Sequence, residues 1–349
     1  MFTEFPLFST PLIVLVEVLK CAEPKDIVSL SLCSQKSHSI VKNFWKLPEN
    51  AQLRMWDAGW SKKLFLGNDS DPIIGIEKED RYPTHGTKHS CFVKIVSSKQ
   101  IRCHVNILGH LDTYWKNDRI GFKAVTNYIC DLFKTHVTNV TICVADGFWM
   151  FDWIKQRQIE AVNEVYAKIR KEVCGEKYSK LLRLTPTNSL SVYVTPPADF
   201  DFPGNLPSVK HLTIRNGTWL KIEHLLSLNS ETVFISNSKL TNANINVFIK
   251  HWLNGGFPGL KFIETGVDGR TNHDQIYEDI EEQLVEVEEE RTYIWKTGKK
   301  AIQTNRVTIT ATKQPYDIRR ESDGIVCTCF RYQDAFAMVV WPDYDGNSV

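Results

Sequence analysis

FPLFSTPLIVLVEVLKCAEPKDIVSLSLCSQKSHSIVKNFW, Phe5 to Trp45, is the stretch on which the reading of this chain turns. It divides into three short helical segments punctuated by prolines. Pro11 opens the first, since its fixed φ suits a helix start and its missing N–H is not needed there. Leu12, Leu15, Val16 and Leu19 follow at helical spacing. Pro24 opens the second, which carries Ile27, Val28, Leu30, Leu32 and Cys33. Ser34 is placed to cap a third, where Ser37, Ile40, Val41 and Phe44 recur at i, i+3, i+4 and i+7. From Pro11 to Trp45, 18 of 35 residues are apolar or Cys, and the first helix is apolar almost all round. Such a helix is normally buried on every side, yet a unit below ~40 residues rarely builds a sufficient core alone. The surplus apolar surface therefore calls for a cover, either the rest of the chain or another protein.

The order of these residues resembles an F-box: Phe5-Pro6-Leu7, Pro11, Leu15, Val18-Leu19, Pro24, Ile27, Leu30-Ser31 and Ser34. The resemblance implies a three-helix module over 5–46 that docks on a Skp-type adaptor and, through it, on a cullin and a RING protein. It makes these twelve positions the expected adaptor contacts. The rival readings are an N-terminal helical cap on one globular domain and a secretory signal over Pro11–Ala22. The second is disfavoured because Glu4, not a basic residue, precedes the run and Glu17 interrupts it.

The length of 349 residues allows a small module plus one large domain or two medium ones. Apolar content of 42% and charged content of 24% are ordinary for a globular protein. A net charge of +1 offers no general attraction to nucleic acid or acidic membranes. No apolar run reaches the roughly 18–20 residues that span a bilayer. Nine cysteines at scattered spacings read as reduced thiols of an intracellular protein, cytoplasmic or nuclear.

Residues 47–89 read as a linker, because Gly, Asp and Pro accumulate from Gly59 to Gly86. Ser90–Val96 and Ile101–Leu108 look like strands, with the turn Ser97-Ser98-Lys99-Gln100 between them. Ile120–Thr135 has the helical period and Val137–Val144 alternates as a strand. Phe151–Cys174 is helical in pattern, with room for a strand around Val162–Ile169. Short strands then recur near Val192, Leu212, Val233 and Leu260, at steps of 20, 21 and 27 residues. That range overlaps the ~20–29-residue period of leucine-rich repeats, although an open mixed sheet predicts similar spacing. Helices are expected at Leu220–Leu228 and Asn242–Leu253. Asp274–Glu290 holds nine carboxylates in seventeen residues, read as a solvated face or a docking site for a basic segment. Thr308–Ala311, Ile325–Cys329 and Ala335–Val340 close the chain as a β-meander.

A second resemblance lies in the repeat-like part. Pro207-Ser208-Val209-Lys210-His211-Leu212-Thr213-Ile214, then Trp219 with His224-Leu225-Leu226, Ser238 to Asn242, Phe248, Trp252 to Gly255, and Pro258 with Leu260 are similar to the F-box-associated type 2 region of a nematode-expanded family. Tyr316 to Arg320 and Val339 to Pro342 look like that family's closing segment. The fold expected is α/β (α+β): a three-helix F-box, then a mixed α/β substrate-recognition domain over 90–342, with the F-box-associated region at about 190–265.

No P-loop, GxGxxG, HExxH or GxSxG occurs. Cys327-Thr328-Cys329 would place two thiols on one side of a strand, without a second Cys/His pair for zinc. His136, His211, His224 and His251 read as structural. No catalytic residue, cofactor or metal is expected. The chain reads as the substrate receptor of a Skp–cullin–F-box ubiquitin ligase, with a protein substrate and neither nucleic acid nor membrane as partner. The alternatives are an enzyme with an unrecognised active site and an interaction module acting outside ubiquitin transfer. If Leu212 and Ile214 are core, alternation puts His211, Thr213 and Arg215 on an open sheet face. Phe234, Ser236 and Lys261 are expected to join them there as the substrate surface.

Overall fold

The computed structural model describes residues 10–49, 51–67, 71–83, 90–95, 100–296, 304–332 and 335–341. Phe5, Pro6, Leu7, the turn at 96–99 and the closing Pro342 lie outside the described residues. Two compact units divide after Glu160.

The first unit opens with α1 (Leu12–Cys21), α2 (Pro24–Cys33) and α3 (Gln35–Phe44). Pro24 stands at the first position of α2, and Ser34 caps α3 by accepting a hydrogen bond from the Ser37 amide. Pro11 sits one residue earlier than expected, in extended backbone just ahead of α1. The strands are β1 (Leu53–Asp57), β2 (Lys62–Leu66), β3 (Ile74–Lys78), β4 (Ser90–Lys94), β5 (Gln100–Val105), β6 (Leu111–Trp115) and β7 (Val137–Ile142). Helices α4 (Asp118–Phe133) and α5 (Trp149–Arg157) complete the unit. Its strands lie in the order β7-β1-β2-β3-β6-β5-β4. The pairs β1/β7 and β3/β6 are parallel and the others antiparallel.

The expected linker is therefore not one. Leu53, Met55, Leu64, Leu66, Ile74 and Ile76 are all buried, and β1, β2 and β3 are integral strands. Of the Gly/Asp/Pro residues that suggested a linker, Gly59 stands in the turn between β1 and β2, whereas 68–70 and 84–89 lie outside the described residues. Gly59 takes φ +85°, and its amide donates to the Asp57 carboxylate at 2.7 Å. Lys62, next along, is buried between Asp57 at 3.4 Å and Asp118 at 2.7 Å. Helix α4 starts on the side chain of Asn117 and buries Phe122, Val125, Ile129, Leu132 and Phe133.

The second unit contains β8 (Glu164–Ile169), α6 (Gly175–Leu182), β9 (Ser189–Val194), β10 (His211–Ile214), α7 (Ile222–Leu226), β11 (Thr232–Ile235), α8 (Asn242–Leu253) and β12 (Phe262–Gly266). Then come α9 (His273–Ile276), β13 (Val285–Glu286), β14 (Arg291–Lys296), β15 (Thr304–Ile309), β16 (Tyr316–Arg319), β17 (Val326–Tyr332) and β18 (Ala335–Trp341). The order is β8-β9-β10-β11-β12-β18-β17-β16-β13. Strands β8 to β12 run parallel, and the closing meander adds antiparallel strands at the β12 edge. The fold is thus α/β, a three-helix N-terminus followed by mixed α/β structure.

The recurring strands pair in one register of an open mixed sheet. Val165, Leu190, Leu212, Val233 and Ile263 lie side by side. The expected anchors Val192 and Leu260 were misplaced: Val192 pairs with Ile214, and Leu260 precedes β12. In the stretch read as mainly helical, α5 ends at Arg157 and β8 follows. There the β-branched residues decided the outcome. The hairpin β14–β15 was not foreseen before its second strand. The acidic run folds as α9, a 3-10 turn and β13, with its carboxylates outward and Ile276, Tyr277, Ile280 and Val287 buried.

Candidate docking surfaces

Helix α1 buries only two side chains, Leu15 (4% exposed) and Leu19 (1%). Leu12, Ile13, Val14 and Val18 are exposed, Ile13 at 80%. Four large aliphatics left in water on one ten-residue helix are unusual, and large exposed apolar patches are a common mark of interaction sites. Beneath it, Leu15, Leu19, Ile27, Val28 and Val41 close a small core. This helical module is held firmly on α4. Tyr128 donates to the Ser31 hydroxyl at 2.8 Å and bonds the His38 ring at 3.1 Å. Lys42 pairs with Asp131 at 2.7 Å, and Trp45 meets Phe133 with ring centroids 4.9 Å apart. Burial pushes the Tyr128 hydroxyl up to about 12, and burial, then the nearby Lys42 charge, lowers His38.

The twelve expected adaptor contacts thus separate. Pro11 and Val18 are exposed, and Pro24 and Leu30 are half-buried. Leu15, Leu19, Ile27 and Ser31 are internal and hold the helices together, and Ser34 is a cap. Sequence reading passed over Leu12, Ile13 and Val14, although the all-round apolar pattern of α1 already implied that one side lacked a cover within the chain.

The second surface is the face of β8–β12 that alternates with Leu212 and Ile214. Register brings Tyr166, Ser191, Thr213, Phe234 and Glu264 into one row, and Glu164, Ser189, His211, Thr232 and Phe262 into the next. His211 bonds the Thr232 hydroxyl at 2.7 Å, and burial lowers its pKa. The rings of Tyr166 and Tyr193 lie 5.3 Å apart. Leu212, Ile214, Val233 and Ile235, on the other face, are buried.

The hairpin β14–β15 closes one end of this face. Tyr293, Val307 and Ile309 form a buried cluster with Phe262, Phe330, Val339 and Trp341, and Phe234 packs against it. Tyr293 stacks on Phe262 with centroids 6.0 Å apart and donates to the Lys261 carbonyl at 3.0 Å. The accessible strip accordingly lies on β8, β9 and β10. His211, Thr213 and Arg215 border it, and Ser236 follows just after β11. Lys261 does not belong there. It shares the parity of Ile263, not of Phe262, and pairs with Glu231 at 3.5 Å. The error traces to placing the strand at Leu260 instead of Phe262. Tyr166 and Tyr193 lie on the strip without having been expected there, and a register anchored on Val165 brings both to it.

Elsewhere, Cys327 and Cys329 face one side, with sulfurs 3.9 Å apart and buried. No group of three or more His, Cys, Asp or Glu able to hold a metal exists among the described residues. His224 bonds the Phe202 carbonyl at 2.9 Å and takes the Lys221 amide, a structural role.

Residues 11–48 match the F-box domain, and residues 202–265 match the family described as F-box associated. The chain carries an F-box and an F-box-associated region. The F-box match spans α1 to α3, so the exposed row on α1 belongs to the F-box, a domain that in general binds a Skp-type adaptor. The F-box-associated match spans β10, α7, β11, α8 and nearly all of β12, the later three of the five parallel strands. The Caenorhabditis elegans protein named Skn-1 dependent zygotic transcript 15 protein is 23% identical over 277 residues, covering 75% of this chain and 79% of its own. No solved structure matches. Among the described residues, no helix is long and apolar enough to cross a membrane.

Proposed function

We propose that this F-box protein is a substrate-recognition subunit of a Skp–cullin–F-box ubiquitin ligase. The observation that carries the reading is the row Leu12, Ile13, Val14 and Val18, left in water by an otherwise folded F-box. Docking on the Skp-type adaptor would cover it, and the adaptor would bring cullin and RING protein. The strip on β8–β10, with Tyr166, Tyr193, Thr213 and Arg215, is the proposed substrate surface. Side chains on rigid strands lose little ordering entropy on association. The contribution to rate is proximity of the target lysine to the ubiquitin-loaded enzyme, and the chain itself supplies no chemistry. The compartment is cytoplasm or nucleus, where that machinery works.

Affinity purification under proteasome inhibition tests both surfaces at once. Wild type should bring down adaptor, cullin and substrate. Val18→Asp should lose adaptor and cullin and keep substrate. The triple variant Tyr193→Ala, Thr213→Ala, Arg215→Ala should do the reverse. Absence of adaptor from the wild-type sample would end the ligase reading.

A further inference from the structure

The turn between β5 and β6 presents a second apolar feature beside the F-box. Ile107 is 101% exposed and Leu108 52%, with Val105 also exposed at the end of β5. Two adjacent large aliphatics at a turn tip run against the polar composition expected there. The tip is also built to stay in place. The Asn106 amide donates to the His110 carbonyl and the Gly109 amide to the Asn106 carbonyl, both at 3.0 Å. The Asn106 side chain takes the Leu108 amide at 2.8 Å and donates to Asp112 at 3.0 Å. His110, fully buried, lies 3.2 Å from Asp112. Gly109 adopts φ +80°, which favours glycine.

Its position supplies the occupant. A Cβ on Gly109 would lie 3.7 Å from Cε of Lys25, in the first turn of α2. Lys25 follows Val18 by a short helical end and a tight junction, which hold the two within about 20 Å. A standard interface covers about 800 Å² per partner, a patch roughly 30 Å across. A footprint of that width is enough to span from Val18 to the Lys25 position, which adjoins the turn.

We infer that the β5–β6 turn is part of the adaptor-binding surface: Ile107 and Leu108 extend the F-box interface and contact the Skp-type adaptor directly. This rests on the adaptor reading above. The footprint is then composite, with F-box helices and a turn of the following sheet fixed relative to each other by α4. The unpaired aliphatics of the tip and of α1 are covered by one partner.

The test measures affinity of the full-length chain for a recombinant Skp-type adaptor, with light scattering for self-association. Ile107→Asp with Leu108→Asp should weaken binding about tenfold or more while thermal unfolding stays unchanged, since both side chains are in water. Ile107→Ala with Leu108→Ala, gentler on the turn, should weaken it less but measurably. Val18→Asp, on α1, should abolish binding. If both tip variants bind like wild type while Val18→Asp does not, the tip inference is overturned and the adaptor reading stands. If wild type fails to bind, both fall together. If the tip variants abolish a self-association instead, the occupant is a second copy and the inference is likewise overturned.

Discussion

Helices α1 and α8 are both short and apolar, at 10 and 12 residues, and they meet opposite fates. Helix α8 turns Ile245, Phe248, Ile249 and Trp252 inward and leaves Val247 as its exposed large aliphatic. Helix α1 turns two residues inward and leaves four large aliphatics outside. The difference does not lie in hydrophobicity. Helix α8 spaces its large residues at i, i+3, i+4 and i+7, so one stripe fits one sheet. Helix α1 has apolar residues on consecutive positions, more than any single supporting layer can cover. What remains outside is the surface proposed above to meet the adaptor, and it contributes nothing to folding while it stays in water.

The contrast predicts its largest effect at Trp252. The side chain is fully buried, and Arg320 lies over its ring at 4.7 Å. Trp252→Ala should destabilise the second unit by about 3–5 kcal/mol, read as a lowered urea midpoint. Val18→Asp, equally drastic on paper, should leave stability within about 0.5 kcal/mol of wild type. A comparable loss in both would mean that α1 is covered within the chain, and the contrast would collapse. Leu15→Ala falls on the buried side of the same helix and should cost about 2–5 kcal/mol, which separates the two sides of α1 in one experiment.

These cases show what was legible from sequence. The F-box helices were, because Pro24, Ser34 and the apolar spacing act locally within a few residues. Helix α8 was, to its exact ends, since Thr241 and Asn244 cap it reciprocally. The parallel strands were legible as elements but not in register, because pairing is decided by residues far apart in sequence. That is how Lys261 came to be placed on the wrong face. The stretch around Gly59 was misread because turn residues inside a sheet and residues of a linker have the same composition. Only the buried alternation of β1 and β2 distinguishes them. The hairpin over Phe262 left no sequence signal of its destination, so the covered end of the proposed substrate face was invisible.

Capping gives a smaller test of the same contrast. Ser34 caps α3 by accepting from the Ser37 amide at 3.1 Å and also bonds the Ser37 hydroxyl at 2.7 Å, whereas the side chains of Thr241 and Asn244 each satisfy the other's backbone amide at the start of α8. Ser34→Ala should cost about 1 kcal/mol. Because the F-box core is small, that loss should also be visible as weaker adaptor binding. Thr241→Ala should cost a similar amount in folding with no effect on the adaptor. Equal effects on adaptor binding would show that Ser34 matters only through global stability.

Glu264 inverts the mismatch of α1, a polar group held in where α1 leaves apolar groups out. It lies on the sheet face between Phe234 and Ala337 by register. Burial raises its pKa. Asp317, also on this sheet, accepts from Arg291 at 2.8 Å and from Thr328 at 2.6 Å. The sign at Glu264 follows from the raised value. Folding favours the protonated carboxyl, so the fold is unpenalised below the unfolded pKa of about 4.3. Stability is lost as pH rises from there through the folded value, and the loss persists at neutral pH. Glu264→Gln removes the titration and keeps the shape. It should therefore raise the melting temperature slightly at pH 7 and have no effect near pH 4. Asp317→Asn should do the opposite at neutral pH, because it weakens the Arg291 pair. A Glu264→Gln gain of the same size at both pH values would mean that burial of the charge is not its origin, and Glu264 would then be one more packed side chain of the sheet.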